Sequence, residues 1–289
     1  MNLKIATVSA ALLCIVVAGN AQGRVERTST KQTLHFAGTG VHTLDLRDIN
    51  GSVRVEAYDG RDVELTTDKS VRAGSDDDMR AADRDATVDT SENADVVRVV
   101  VKLKNQGVCG EESPHHYSSW FDEPSYDVRF DFTVRVPPDT RLQLCTVNGG
   151  DVTVKGTRGD FSVRNVNGRI TMTDVAGSGE AITVNGPVKA SFVSTPGKSS
   201  RFRTINGDVV LTLPSGAAAD LRMKSLNGGL YTDFDVRTLP AESLHLVEKR
   251  DGMSVYRSNG FTSVRTGDGG PELTLDTLNG DVRVLRRSP

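Results

Sequence analysis

The sequence predicts an all-β protein, a parallel β-helix-like solenoid wound from Asn-Gly coils of about 20 residues each. Three observations predict it. Asn-Gly recurs at Asn50, Asn148, Asn167, Asn185, Asn206, Asn227, Asn259 and Asn279, and from Asn148 the steps are 19, 18, 21, 21, 32 and 20 residues. Four residues before each Asn stand Leu46, Leu144, Val163, Ala181, Phe202, Met223, Val255 and Leu275, all apolar; six before, only Gly179 and Ser200 break the apolar series. Directly before the Asn come Ile49, Val147, Val166, Val184, Ile205, Leu226 and Leu278, with Ser258 the exception. Strand side chains alternate between faces, so a straight hairpin would leave this last position in water. A corner at Asn-Gly would let all three positions share one interior, with Asn and Gly supplying the positive φ of the bend. The competing arrangement is a β-sandwich or roll of hairpins.

The elements follow in order. Residues 1–21 carry Lys4, an apolar run from Ile5 to Ala18 and the small-residue stretch ending at Ala21. That pattern reads as a cleaved secretory leader, too short for the roughly 20 apolar residues of a membrane span. Leu12-Leu13 before Cys14 argues against lipidation. Residues 22–289 read as a single domain with no integral membrane segment, opening on a first copy of the motif at Asn50. Residues 74–95 hold eight acidic residues and two arginines, and they read as a short exposed helix over 76–86 with polar flanks rather than a calcium loop. Val96 to Leu103 and the strictly alternating run from Val128 to Val136 read as strands, the latter ended by Pro137-Pro138. Between them an insert of about 105–127 gathers His115, His116, Tyr117, Trp120, Phe121 and Tyr126. From 140 the coils run nearly to the end, with strands such as 151–155 and 160–164; the 32-residue step reads as a long loop or crossover.

Removing the leader takes Lys4 and moves the formal charge from −3 to −4, so no basic field exists to recruit nucleic acid. The mature chain keeps Cys109 and Cys145. In an oxidising compartment they are expected to pair, closing a loop worth roughly 3 to 4 kcal/mol in the chain-entropy model; two free thiols are the alternative.

Chemistry-bearing patterns are sparse. Asp151, Asp208 and Asp281 follow their Asn-Gly pairs at similar places and, with Asp160 and Asp174, invite comparison with β-helix enzymes that cut polysaccharides with paired carboxylates. Turn chemistry alone also selects aspartate there. Adjacent His115 and His116 point apart in most backbones, so no metal site and no cofactor is expected. Tyr117, Trp120, Phe121 and Tyr126 are the candidate ligand-binding group, against a role in capping the fold.

The leader, the segments LDLRDINGSVRVEAYDGRDVEL and DFTVRVPPDTRLQLCTVNGGDVTV, the Asn-Gly coils and the closing GPELTLDTLNGDVRVL resemble a bacterial adhesin-like family of unassigned function. That family is similar to the auto-transporter adhesin head domain named for its Gly-Ile-Asn signature. The resemblance covers nearly the whole mature chain. It implies an extracytoplasmic all-β protein without established enzymatic activity, binding an unidentified protein or glycan at the cell envelope, in the periplasm or at the surface. The alternatives are a periplasmic stress-associated regulatory module and a carbohydrate-active enzyme.

Overall fold

The computed structural model describes residues 11–17, 24–104, 107–110, 125–240, 245–250, 253–257 and 260–288. Apart from one helix, every regular element among them is a strand. The strands form two large mixed sheets of eleven strands each and a two-stranded antiparallel ribbon, His245–Arg250 with Met253–Arg257. Asn259, the seventh motif position, lies outside the described residues.

Each of the other Asn-Gly corners hands the chain from the second large sheet to the first. Arg141–Cys145, Phe161–Arg164, Gly179–Ile182 and Ser200–Arg203 lie in the second sheet. Val152–Lys155, Ile170–Val175, Val188–Phe192 and Val209–Leu213, which follow the corners, lie in the first. From the Asn148 unit to the Asn206 unit each strand pairs in parallel with its counterpart one motif later, Val152 against Ile170 and Ile170 against Val188 in one sheet, Phe161 against Gly179 in the other. The inward faces meet in one core, where Phe192 of the first sheet touches Phe161 and Phe202 of the second, with centroids 6.3 and 5.9 Å apart. The helix Asp76–Asp85 is capped by the Ser75 hydroxyl and buries Met79 and Ala82.

The spatial order departs from the sequence order at both ends. The last unit, Glu272–Asn279 with Val282–Arg286, lies between the Asn206 unit and the Asn227 unit in both sheets. The first unit, Thr43–Arg47 with Val53–Ala57, lies between the Asn148 unit and the strands Val96–Leu103 and Tyr126–Val136. Both terminal units are therefore paired on either side, and neither presents an open edge. The long step after Asn227 holds Leu230–Thr232, Val236–Thr238 and the ribbon. At the other end Ala11–Val17 pairs antiparallel along Arg24–Leu34.

The expectation that the residue before each Asn turns inward is corrected. Ile49 is buried at 4 % exposure, but Leu278 is 42 % and Leu226 65 % exposed, and Val147, Val166, Val184 and Ile205 are half-buried. Alternation holds right up to the corner, so the inward residue is the one two before the Asn. That column is small and polar. Thr146, Asn165, Thr183, Thr204, Thr277 and Ser225 each donate a side-chain hydrogen bond to the carbonyl of the corner glycine, or of Gly150 beside it, in the adjoining unit, at 3.3, 2.9, 2.9, 2.7, 2.8 and 2.7 Å. Glycine carbonyls that the turn would otherwise orphan are thereby satisfied.

Outside the corner the asparagines form a second ladder. Nδ2 of Asn167, Asn185, Asn206, Asn279 and Asn227 donates in turn to Oδ1 of Asn148, Asn167, Asn185, Asn206 and Asn279, at 2.7 to 2.9 Å. Each interior amide thus gives one bond and takes one. Asn185→Ala is expected to destabilise by about 1 to 2 kcal/mol and Asn148→Ala, with one ladder bond, by about half that. Equal losses at the two positions in urea melts would refute the ladder's contribution.

Candidate functional site

Where the chain enters the first sheet, carboxylates tie adjoining units together. Asp208 accepts from the Asp281 N–H at 2.9 Å, Asp281 from the Gly229 N–H at 2.9 Å, and Asp151 from the Arg169 N–H at 3.0 Å. Asp208 and Asp281 adjoin, while Asp151 stands apart, with Arg169 and Pro187 at the intervening places. The Gly229 N–H holds the Asp281 carboxyl below its ordinary range, with the Arg283 guanidinium adding to it. Asp174 pairs with Arg287 at 2.7 Å, and Asp160 is held low by Lys198 at 2.8 Å. These five carboxylates fasten the chain to itself. A glycosidase pair needs one acid kept protonated against an ionised partner, and neither Asp281 nor Asp160 shifts in that direction.

Beside this scaffold the second sheet carries an apolar ridge. The residues before the asparagines stack outward in the spatial order Val147, Val166, Val184, Ile205, Leu278, Leu226, one per strand at the roughly 4.8 Å spacing of paired strands. A disulfide joins Cys109 to Cys145 with Cα atoms 5.8 Å apart. It holds the segment Gly107–Gly110 against the start of this ridge, and between them lies a groove of about 530 Å³ lined by Val108, both cysteines, Val147, Val166 and Ile182. The lining is mostly apolar, with the Arg164 guanidinium at its rim paired to Glu180.

Of the predicted ligand-binding group, Tyr117, Trp120 and Phe121 lie outside the described residues, as do His115 and His116. Tyr126 stands half-buried at the start of its strand, with its hydroxyl donating to Asp85 at 3.0 Å, so it braces the helix and does not line the groove. Among the described residues no group of three or more His, Cys, Asp or Glu side chains is placed to hold a metal ion, and no helix is long and apolar enough to cross a membrane. The ridge and groove were missed by sequence reasoning because the residues that build them were assigned to the interior. The exposed parity of the residue before each Asn, next to an inward polar one, was the signal available.

No family model matches the chain, and no curated protein matches it. Among solved structures, a candidate cell adhesion protein from Clostridium sporogenes aligns over 90 % of this chain and 100 % of its own, at 6 % identity and a TM-score of 0.40. A candidate adhesin from Bacteroides fragilis aligns over 89 % and 97 % at 10 % identity and a TM-score of 0.23. A candidate lipid binding protein from Parabacteroides distasonis aligns over 93 % and 98 % at 9 % identity and 0.22. Likenesses this low carry neither fold nor function to this chain.

Proposed function

We propose that the chain is a non-enzymatic, extracytoplasmic binding or scaffold protein of adhesin-like type, its two sheets forming the coils of a β-solenoid with terminal coils interleaved. The observation that carries this reading is the apolar ridge running from the groove at Val147 to the exposed Leu278 and Leu226. Exposed apolar rows on a rigid scaffold mark surfaces that meet another molecule. The ladders fix the scaffold, and the corner carboxylates that would serve a hydrolase are engaged in bonds within the chain. The Cys109–Cys145 disulfide and the leader pattern support a compartment outside the cytoplasm. The partner class is a protein or glycan of the envelope.

Protease shaving of intact cells tests the location, following a C-terminal epitope tag beside a periplasmic control protein. Digestion of the tag while the control survives is expected of a surface protein. Survival of both until the envelope is opened points to a periplasmic module, and a tag found in the cytoplasmic fraction overturns the reading.

A further inference from the structure

A second cavity lies on the outer side of the second sheet, at the ends of its strands away from the Asn corners. The register Leu142–Phe161–Gly179 and Glu180–Arg201 places Arg141, Asp160, Ser178 and Ser199 in one row across four adjacent strands. Together with Lys198 and Ser162 they line a hollow of about 330 Å³, at the small end of ligand pockets.

The hydrogen bonding within this row is uneven. Both oxygens of Asp160 are engaged, Oδ1 by the Ser178 N–H at 3.0 Å and Oδ2 by the Lys198 ammonium at 2.8 Å. Ser178 Oγ accepts from the Lys198 N–H at 2.9 Å and keeps its own proton to give. Arg141 is different: among the described residues its Nε is buried without a hydrogen-bond partner. A buried guanidinium donor left unmatched is costly, and the same side chain lines the hollow, where its charge can meet an anionic acceptor. The lining charges are Arg141, Lys198 and Asp160, one net positive charge, flanked by the hydroxyls of Ser178 and Ser199. This balance suits a singly charged anion that also carries hydroxyls. A dianion such as phosphate would exceed the one surplus charge and face Asp160.

We propose that this cavity is a subsite for the carboxylate of an acidic sugar, with Arg141 binding the carboxylate and Lys198, Ser178 and Ser199 meeting the ring hydroxyls. The assignment goes beyond the binding reading above, which stands on the ridge at the opposite ends of these strands. The two fail separately, since shaving reports location and the titration below reports this cavity. Isothermal titration of the full chain with methyl glucuronide, methyl glucoside and inorganic phosphate decides it. Saturable binding of the glucuronide is expected, at least tenfold tighter than either of the others. Arg141→Gln should weaken it tenfold or more with an unchanged melting temperature, the effect of one charge-assisted hydrogen bond. Arg283→Gln, on the other sheet, should leave it unchanged. Should Arg141→Gln fail to fold, Ser199→Ala at the exposed rim takes its place, with an expected weakening of several-fold. Equal binding of the glucoside, phosphate binding as tight as the glucuronide, no binding at all, or indifference to both lining variants would each overturn the proposal.

Discussion

Gly207→Ala is expected to destabilise the protein by roughly 4 kcal/mol, combining an overpacked contact with a strained φ. A Cβ at this position would sit 2.4 Å from the Gly186 carbonyl oxygen, 2.6 Å from its carbon and 2.8 Å from the Pro187 nitrogen. All three are backbone atoms, so no side chain can swing away. The backbone there has φ of +152°, which disfavours any residue with a Cβ. The site is also tied to the last unit by two hydrogen bonds. Gly207 N–H donates to the Asn279 carbonyl at 2.8 Å, while the Gly207 carbonyl accepts from Thr277. Relieving the clash would therefore push the Asn206 unit away from the Asn185 unit and disturb the bonds that seat the last unit, inserted from the far end of the sequence.

A loss of that size should lower the thermal midpoint by roughly 10 °C in a chain of this length. Gly216→Ala is the control. A Cβ there meets nothing within 4 Å, so its midpoint should stay within about 1 °C, the range of a surface substitution. A Gly207→Ala protein that melts with the control would show that adjoining units can separate without penalty. The close stacking on which the rigid-scaffold reading depends would then be wrong.

Much of this architecture is legible in the amino-acid order, and the parts that are not share one cause. Asn-Gly spacing locates the corners, because each corner needs the same two residues whatever surrounds it. Strict alternation locates Tyr126–Val136, and the acidic run locates the helix. The pairing of Cys109 with Cys145 matches the expectation for a chain whose predicted leader would carry Cys14 away. What a repeat does not encode is its own neighbour. Nearly every corner offers the same amide, a glycine carbonyl and an apolar side chain, so the sequence specifies how units stack without specifying which. Only folding in three dimensions reveals that Asn279 sits between Asn206 and Asn227. The inward polar column was legible but missed: Asp48, Thr146, Asn165, Thr183, Thr204, Ser225 and Thr277 are all small and polar two places before their asparagines. An apolar column there would have left glycine carbonyls unbonded, and that requirement outweighs the apolar preference of an interior. The acidic-sugar cavity has no sequence signal, since its lining residues are spread over four units and only register brings them together.

Asp48 is the one member of that column that cannot donate when ionised, and this makes it a titrating weak point. It is fully buried and accepts from the Ile49 N–H at 2.7 Å, with Thr146 Oγ1 3.5 Å away. Burial, with nearby Asp131 adding repulsion, pushes its carboxyl up to about 7 from an ordinary 3.8. The folded state therefore holds a proton that the unfolded chain releases near pH 4. Between those two values folding takes up a proton, so stability falls as pH rises through this window and levels off above about 7. The part of the pH profile due to Asp48 should span a few kcal/mol. Asp48→Asn keeps the shape and carries no charge. At pH 8 the variant should exceed the parent by a few kcal/mol, and at pH 4 the two should nearly coincide. Urea melts at both pH values measure this. A gain that is the same at pH 4 and pH 8 would mean that the parent holds Asp48 in one charge state throughout. A loss at pH 8 would mean that the carboxylate is stabilised at its corner, and the raised carboxyl would have to be abandoned.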